Sequence, residues 1–291
     1  MLRRKAYAKV NLALDVVRKR PDGYHDVRMI MQNLDIYDEL EFERFECGRE
    51  CPYGDRIKIV SDRADVPTDG KNLIHRAIRL MMEEYGLDGG ISVRLIKNIP
   101  VEAGMAGGST DAAAAFHAVN DLYGLGLSTK ELMEQGVKIG ADVPYCIMGK
   151  TALSCGIGEK LTEIEPLKDC YILVVKPEFS VSTGMVYGNL RVDELMSDPD
   201  VSEMAEALSS GDTKKVAALM ENVLETVTVR LHPELEEIKS VMKKRGALNA
   251  IMSGSGPTVF GLYETREAAK EAAKYISETE MAKEIYVTTP V

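Results

Sequence analysis

The first residues alternate between apolar and polar side chains. Every second residue from 6 to 16 is apolar, which is typical of a strand with one buried face. The alternation places Lys9 and Asn11 side by side on the other face. The segment R-P-D-G-Y-H at 20–25 follows and predicts a turn, in which Gly23 supplies a positive φ.

The rest of the first half combines strands with helices. Residues 72–85 repeat apolar positions with helical periodicity and stop at Gly86. Ser128 and Glu131 have the spacing of a capping box for a later helix that ends near Gly140. Val143 precedes a proline, so it is expected to be extended. Strands are predicted around 26–45, 57–61 and 91–96.

The second half reads as a compact α+β unit of its own. Residues 150–165 form a connection containing a strand. We place the domain boundary near 160, which gives domains 1–160 and 161–291. The predicted strands are 171–175, 249–253, 258–263 and 285–288, and the predicted helices are about 203–209, 213–229, 233–245 and 265–277.

A glycine-rich loop stands between the strand at 91–96 and the next helix. Residues 100–113 read P-V-E-A-G-M-A-G-G-S-T-D-A-A. Ser, Thr and Asp cap helix starts, and alanine propagates the helix, here to Tyr123 before Gly124. A glycine loop that enters a helix directs free N–H groups and a positive dipole end at one point, which suits phosphate. The spacing matches neither a P-loop nor a dinucleotide-binding loop.

Composition narrows the class of protein. The chain has 291 residues and a formal net charge of -10, which argues against nucleic acid or an anionic membrane as a partner. No apolar run is long enough to span a membrane, and no signal-peptide core follows the basic N-terminus. The five cysteines have no C-x-x-C spacing and the histidines are scattered, so reduced thiols, no zinc site and a cytoplasmic location are expected.

Three further features carry candidate chemistry. S-G-S-G-P-T at 253–258 is either a tight connection between two strands or a turn lying against the first glycine loop. Asp142, before a Val-Pro bend, is able to accept a proton or organise a metal, although such aspartates are often solvated. Lys9 would stabilise phosphate charge if it faced a cleft.

Together these motifs resemble the GHMP small-molecule kinases. The motifs are A-K-V-N-L-A-L-D-V, D-G-Y-H, the loop at 100–113, G-A-D-V-P and S-G-S-G-P-T, in this order. K-V-N-L followed by D-G-Y-H, with G-I-G-E-K-L at 156–161, is specific to one member, whose acceptor alcohol is a cytidine diphosphate-linked methylerythritol. The resemblance implies an α+β, two-domain GHMP kinase fold with a mixed-sheet N-terminal domain and a ferredoxin-like C-terminal domain. ATP and the acceptor would meet in the cleft.

The resemblance also assigns roles to residues. Asp142 matches the catalytic aspartate and Lys9 the lysine beside it. The substrate positions are Asn11, Tyr24, His25, Thr183 and Tyr187, with Tyr24, His25 and Tyr187 around the cytosine. The nucleotide positions are Asn72, Lys97 and the loop residues Pro100, Val101, Glu102, Ala103, Gly104, Met105, Ala106, Gly107, Gly108, Ser109 and Thr110. Mg²⁺ is expected with ATP, but its ligands stay unassigned.

The chain departs from the common family loop at three positions. Met105, Ala106 and Thr110 stand where Leu, Gly and Ser are usual. The hydroxyl and the apolar side chain are kept. Since Ala106 replaces a glycine, its φ is expected to be negative or only mildly strained.

Three alternatives stay open at this point. A sibling kinase acting on mevalonate, homoserine or a sugar would leave the cytosine residues without a role. A non-catalytic nucleotide-binding protein of the same fold would bind ATP without producing ADP. An α/β protein with purely structural loops would not bind ATP. The expected oligomeric state is a monomer or a weak dimer.

Overall fold

The computed structural model describes residues 1–48, 51–52 and 56–291. Internal contacts divide the chain into two compact units. The first unit comprises Met1–Ala8, Ile36–Val101 and Ala106–Gly149, and the second comprises Lys9–Asp35, Glu102–Met105 and Lys150–Val291. Neither unit is one continuous stretch of chain. The boundary near residue 160 stays a prediction.

The first unit packs helices on a mixed sheet. Strand β4 pairs in parallel with β3 and antiparallel with β2, so that Val93 lies opposite Ile59 on one side and Phe42 on the other. The strands are β1 (Leu2–Lys19), β2 (His25–Phe45), β3 (Ile57–Ser61) and β4 (Gly90–Ile96), of which β1 and β2 continue into the second unit. The helices are α1 (Leu73–Glu84), α2 (Gly107–Tyr123), α3 (Thr129–Gly136) and α4 (Val143–Met148).

The core of the first unit lies between this sheet and its helices. Phe42, Ile74 and Phe116 are fully buried there, together with the alanines at 112–115. The small alanine side chains let α2 pack closely against its neighbours.

The second unit contains a four-stranded antiparallel sheet in the order β11-β7-β10-β9. Numbered along the chain within this sheet, the strands lie in the order fourth, first, third, second. Helices connect the first strand to the second and the third to the fourth. This is the arrangement of a ferredoxin-like domain. The predicted fold class is therefore confirmed. Its strands are β7 (Tyr171–Lys176), β9 (Asn249–Met252), β10 (Val259–Tyr263) and β11 (Glu284–Thr288).

Other elements complete this unit. Strand β5 (Ala152–Gly156) pairs antiparallel with β2 and with β6 (Lys160–Glu163), and the short β8 (Glu221–Asn222) runs parallel to β1. The helices are α5 (Thr183–Asn189), α6 (Val201–Ser210), α7 (Thr213–Leu219), α8 (Glu225–Leu231), α9 (Glu234–Lys244) and α10 (Arg266–Ser277), with a 3-10 turn at Val192–Glu194.

Three local predictions need correction. Val143 is not extended but begins α4, because Pro144 in the first turn loses no helical hydrogen bond. The predicted helix at 213–229 is broken into α7 and α8, since Glu221 and Asn222 pair with Ala13 and Leu14 of β1. The connection after residue 150 contains two strands rather than one.

Candidate active site

The glycine loop enters α2 without a side-chain cap. Ala106 is the N-cap residue, and its side chain makes no capping hydrogen bond. The first helical bond runs from the N–H of Thr110 to the carbonyl of Ala106 over 2.9 Å. Ser109 and Thr110 therefore lie inside the first turn and do not cap it, contrary to the sequence-based expectation. The uncapped N–H groups and the positive end of the helix suit an anionic ligand.

Ala106 adopts a left-handed conformation. Its φ and ψ are 57° and 26°. We expected a φ that is negative or only mildly strained, and of these two outcomes the negative φ is wrong. Glu102, earlier in the loop, also has a positive φ of 53°. For a residue with a side chain this conformation costs about 1–2 kcal/mol, and such strain is common at binding loops.

A buried charge cluster lies directly below this junction. The ammonium group of Lys97 donates to the carboxylates of Asp38 and Asp111, with the latter at 2.7 Å. Burial would lower the pKa of Lys97, but Asp111 and Asp38 outweigh it and raise that pKa. The ammonium group of Lys97 is thus paired with two carboxylates. The predicted contact between Lys97 and the nucleotide stays a prediction.

Asn72 caps α1. Its Oδ1 accepts the backbone N–H of Ile74 at 2.8 Å, and its Nδ2 donates to the carbonyl of Pro67 at 2.7 Å. Both ends of the amide are therefore used in local structure. Its contact with the nucleotide also stays a prediction.

In the second unit, Lys9 and Asn11 lie together on β1 as predicted. The Nζ of Lys9 donates to Oδ1 of Asn11 at 2.8 Å, and both side chains are buried. The backbone N–H of Lys9 donates to the carbonyl of Met105 at 3.2 Å. This bond ties the strand to the part of the glycine loop that belongs to the same unit.

The second glycine-rich turn lies against the first loop, which was one of the two readings of S-G-S-G-P-T. Ser253 Oγ donates to the carbonyl of Gly104 at 3.0 Å. A Cβ on Gly104 would overlap the carbonyl oxygen of Ser253, and one on Gly254 would lie 3.2 Å from the Gly104 oxygen. Close backbone approach therefore requires glycine at position 104 and leaves little room for a side chain at position 254.

Asn222 holds this turn, and sequence reasoning missed it. Its Nδ2 donates to the carbonyls of Met252 and Gly254, both at 2.8 Å, and its Oδ1 accepts the N–H of Leu224. The sequence carried no signal for this role, because the residue fell inside a predicted helix.

Two of the three predicted cytosine residues lie together. The rings of His25 and Tyr187 are 5.1 Å apart at their centroids and tilted by 38°. Burial, with a smaller effect of Lys19, lowers the pKa of His25, so the ring is neutral at pH 7. Its Nε2 is buried and has no hydrogen-bond partner among the described residues. Tyr24, in contrast, is 58% exposed.

Thr183 and Asp142 complete the predicted set. The Thr183 hydroxyl shares a 2.8 Å hydrogen bond with Ser255 of the second glycine turn. Asp142 is the half-buried N-cap residue of α4, and its carboxylate makes no capping bond. It belongs to the first unit, whereas Lys9 belongs to the second, so their pairing stays a prediction.

Within residues 1–48, 51–52 and 56–291, no three or more His, Cys, Asp or Glu side chains are grouped to hold a metal ion. No helix there combines the length and apolar character needed to cross a bilayer. A cation that accompanies a nucleotide takes most of its ligands from phosphates and water, so a protein cluster is not required for one.

Comparison with known proteins identifies the family. The family described as "GHMP kinases N terminal domain" matches residues 72–150, and "GHMP kinases C terminal" matches 204–280. A 4-diphosphocytidyl-2-C-methyl-D-erythritol kinase of Lachnoclostridium phytofermentans is 48% identical over 92% of this chain and 90% of the relative. One of Lachnospira eligens is 45% identical over 99% of this chain and 97% of the relative. The chain belongs to the GHMP kinase family.

Solved structures agree with this assignment. A crystal structure of 4-(cytidine 5'-diphospho)-2C-methyl-D-erythritol kinase has a TM-score of 0.82 to this GHMP kinase, with 32% identity over 99% of both chains. A homoserine kinase from Cytophaga hutchinsonii has a TM-score of 0.75 at 21% identity, covering 99% of this chain and 95% of that one, which shows the shared fold alone. The resemblance found in the sequence is confirmed.

Proposed function

We propose that this GHMP kinase transfers the γ-phosphoryl group of ATP to the 2-hydroxyl of 4-diphosphocytidyl-2-C-methyl-D-erythritol. The products are the 2-phosphate and ADP, and the step belongs to non-mevalonate isoprenoid precursor biosynthesis. The observation that carries the proposal is the 45% identity to the 4-diphosphocytidyl-2-C-methyl-D-erythritol kinase of Lachnospira eligens, over nearly the full length of both chains. The motifs within the chain support it.

The nucleotide would bind at the loop and the start of α2. The uncapped N–H groups of Gly107, Gly108 and Ser109 fit phosphate oxygens, and the small residues let the backbone approach them. Mg²⁺ would arrive with ATP and neutralise phosphate charge. No protein ligand for it is assigned.

Asp142 and Lys9 would carry the transfer. Asp142 orients the acceptor hydroxyl and takes its proton while the new O–P bond forms and the bond to ADP breaks in line. Lys9 keeps this carboxylate ionised, because a nearby positive charge favours the charged form of an acid. Since the transition state is loose, positioning and charge neutralisation matter more than basicity.

The acceptor would be recognised through its base. The paired rings of His25 and Tyr187 offer an aromatic surface for cytosine. The neutral His25 ring, whose Nε2 has no hydrogen-bond partner among the described residues, offers a hydrogen bond to it. Asn11, Thr183 and Tyr24 would contribute further contacts. The five cysteines form no disulfide in the described part of the chain, which fits a protein that works in the reducing cytoplasm. Its partners would be small molecules.

An Asp142→Asn variant tests the catalytic assignment. Loss of a positioned base typically lowers turnover about 10²–10⁴-fold, while the KM for ATP should stay nearly unchanged. Asp193→Asn, at an exposed carboxylate, is the matched control and should turn over like the wild type. Unchanged turnover in Asp142→Asn would remove this residue from the mechanism.

Competition by cytidine nucleotides separates the proposal from a sibling kinase. CDP should inhibit competitively against the acceptor, and a His25→Ala variant should weaken this inhibition. An enzyme for mevalonate or homoserine would not be inhibited in this way by CDP.

A further inference from the structure

We propose that Asp111 is a positioning residue for ATP, held neutral by its burial and by the neighbouring carboxylate of Asp38, so that the buried cluster fixes the start of α2 without adding negative charge below it. This inference rests on the proposed function, because it concerns the ATP end of the same site.

The cluster packs directly against the phosphate-binding turn. A Cβ on Gly107 would lie 3.0 Å from the Nζ of Lys97 and 3.1 Å from Cγ2 of Ile99. The ammonium group therefore lies beside the position that a side chain of the first helical residue would occupy. Since the same Nζ donates to Asp111, one turn further along α2, the cluster fixes both the height and the rotation of the helix start.

The charge count requires one neutral carboxyl group. The side chains of Lys97, Asp38 and Asp111 are at most 5% exposed. One ammonium with two carboxylates leaves a buried negative charge, which is unfavourable away from water. A proton on one carboxyl group removes it.

The hydrogen bonds identify which group carries the proton. Asp38 Oδ1 accepts the backbone N–H groups of Asn98 and Ile99 at 2.7 and 2.8 Å, and its Oδ2 accepts the Lys97 ammonium, so hydrogen-bond donors face both oxygens of Asp38. Asp111 Oδ1 is buried without a hydrogen-bond partner in the described part of the chain. Burial raises the pKa of Asp111 to about 8, with Lys97 opposing and Asp38 adding to the shift.

Other titratable groups around α2 leave this balance unchanged. On α1, burial lowers the pKa of His75, which keeps its ring neutral. On α4, burial raises the pKa of Tyr145 well above its usual value, so the phenol stays neutral. After β3, Asp62 accepts the backbone N–H of Lys97 at 2.9 Å. Lys97 and Asp38 are therefore the charges that act on Asp111.

Ionisation of Asp111 would weaken ATP binding. A negative charge one helical turn below the phosphates opposes the positive end of α2. At a distance of one helical turn and an intermediate dielectric, repulsion between the Asp111 carboxylate and the phosphates should weaken the affinity for ATP about 3- to 10-fold. It should develop as the pH rises through about 8, because the proton is lost there.

The test measures ATP binding without the acceptor from pH 7.5 to 9.5. The ATP dissociation constant of the wild type should rise about 3- to 10-fold relative to Asp111→Asn, and the two should agree at pH 7.5. Asp38→Asn should bind ATP more weakly already at pH 7.5, because Lys97 then loses the carboxylate of Asp38 and the cluster no longer holds the start of α2 in place. Glu236→Gln, in the separate cluster around Lys239, is the control and should follow the wild type.

Two results would overturn the proposal. One is a wild-type affinity that follows Asp111→Asn across the whole pH range. The other is Asp111→Asn binding as weakly as Asp38→Asn at pH 7.5. If Asp111→Asn fails to fold, a wild-type ATP dissociation constant that changes less than about twofold between pH 7.5 and 9.5 also overturns it. Normal ATP binding without phosphorylation of the acceptor would contradict the proposed function alone.

Discussion

Replacing Gly104 with alanine places a methyl group where the two glycine turns of the second unit meet. Gly104 has a φ of 70°, so the side chain first adds left-handed strain of about 1–2 kcal/mol. The new Cβ would also overlap the Ser253 carbonyl and lie 3.1 and 3.2 Å from the backbone O and N of Gly256. Overpacking of this kind typically costs a further 1–3 kcal/mol, which gives a total of about 2–5 kcal/mol.

Gly211→Ala separates the two contributions. Gly211 belongs to the same unit and has a φ of 72°, but nothing lies within 4 Å of its Cβ position. It should cost about 1–2 kcal/mol. Urea unfolding of both variants, followed by circular dichroism, measures the difference. Equal losses of stability in the two variants would refute the close contact between the turns.

Two further predictions concern buried groups of the second unit. Asn222→Ala leaves the carbonyls of Met252 and Gly254 and the N–H of Leu224 without their partner. Urea unfolding should therefore show that the free energy of unfolding falls by about 2–4 kcal/mol. A fall of less than about 0.5 kcal/mol would contradict the role of Asn222 in holding the turn. Burial raises the pKa of the Cys170 thiol to about 12, so iodoacetamide at pH 8.5 should modify it only after unfolding. Mass spectrometry checks this, and rapid labelling of the native protein would contradict it.

Local sequence signals predicted most elements because local chemistry sets them. The strand β1, the capping box of Ser128 and Glu131, and the helix end at Gly124 need only neighbouring residues, and the structure contains all three. The prediction that only one face of β1 is buried is wrong, because every residue from 8 to 16 is buried. The resemblance to a kinase family likewise rested on contiguous motifs.

Contacts between distant residues could not be predicted in the same way. Asp38 pairs with Lys97 across 59 positions, and Asn222 reaches a turn 30 positions away. Neither spacing follows from periodicity. The left-handed φ of Ala106 depends on how the loop is held at both ends, which overrides the preference of alanine itself.

The most direct test of the proposed function is ADP release by the purified chain with ATP and alternative acceptors. With 4-diphosphocytidyl-2-C-methyl-D-erythritol, ADP and the 2-phosphate should form in equal amounts, while mevalonate and homoserine should give no release above the acceptor-free rate. Release with mevalonate or homoserine but not with the cytidine-linked acceptor would contradict the account.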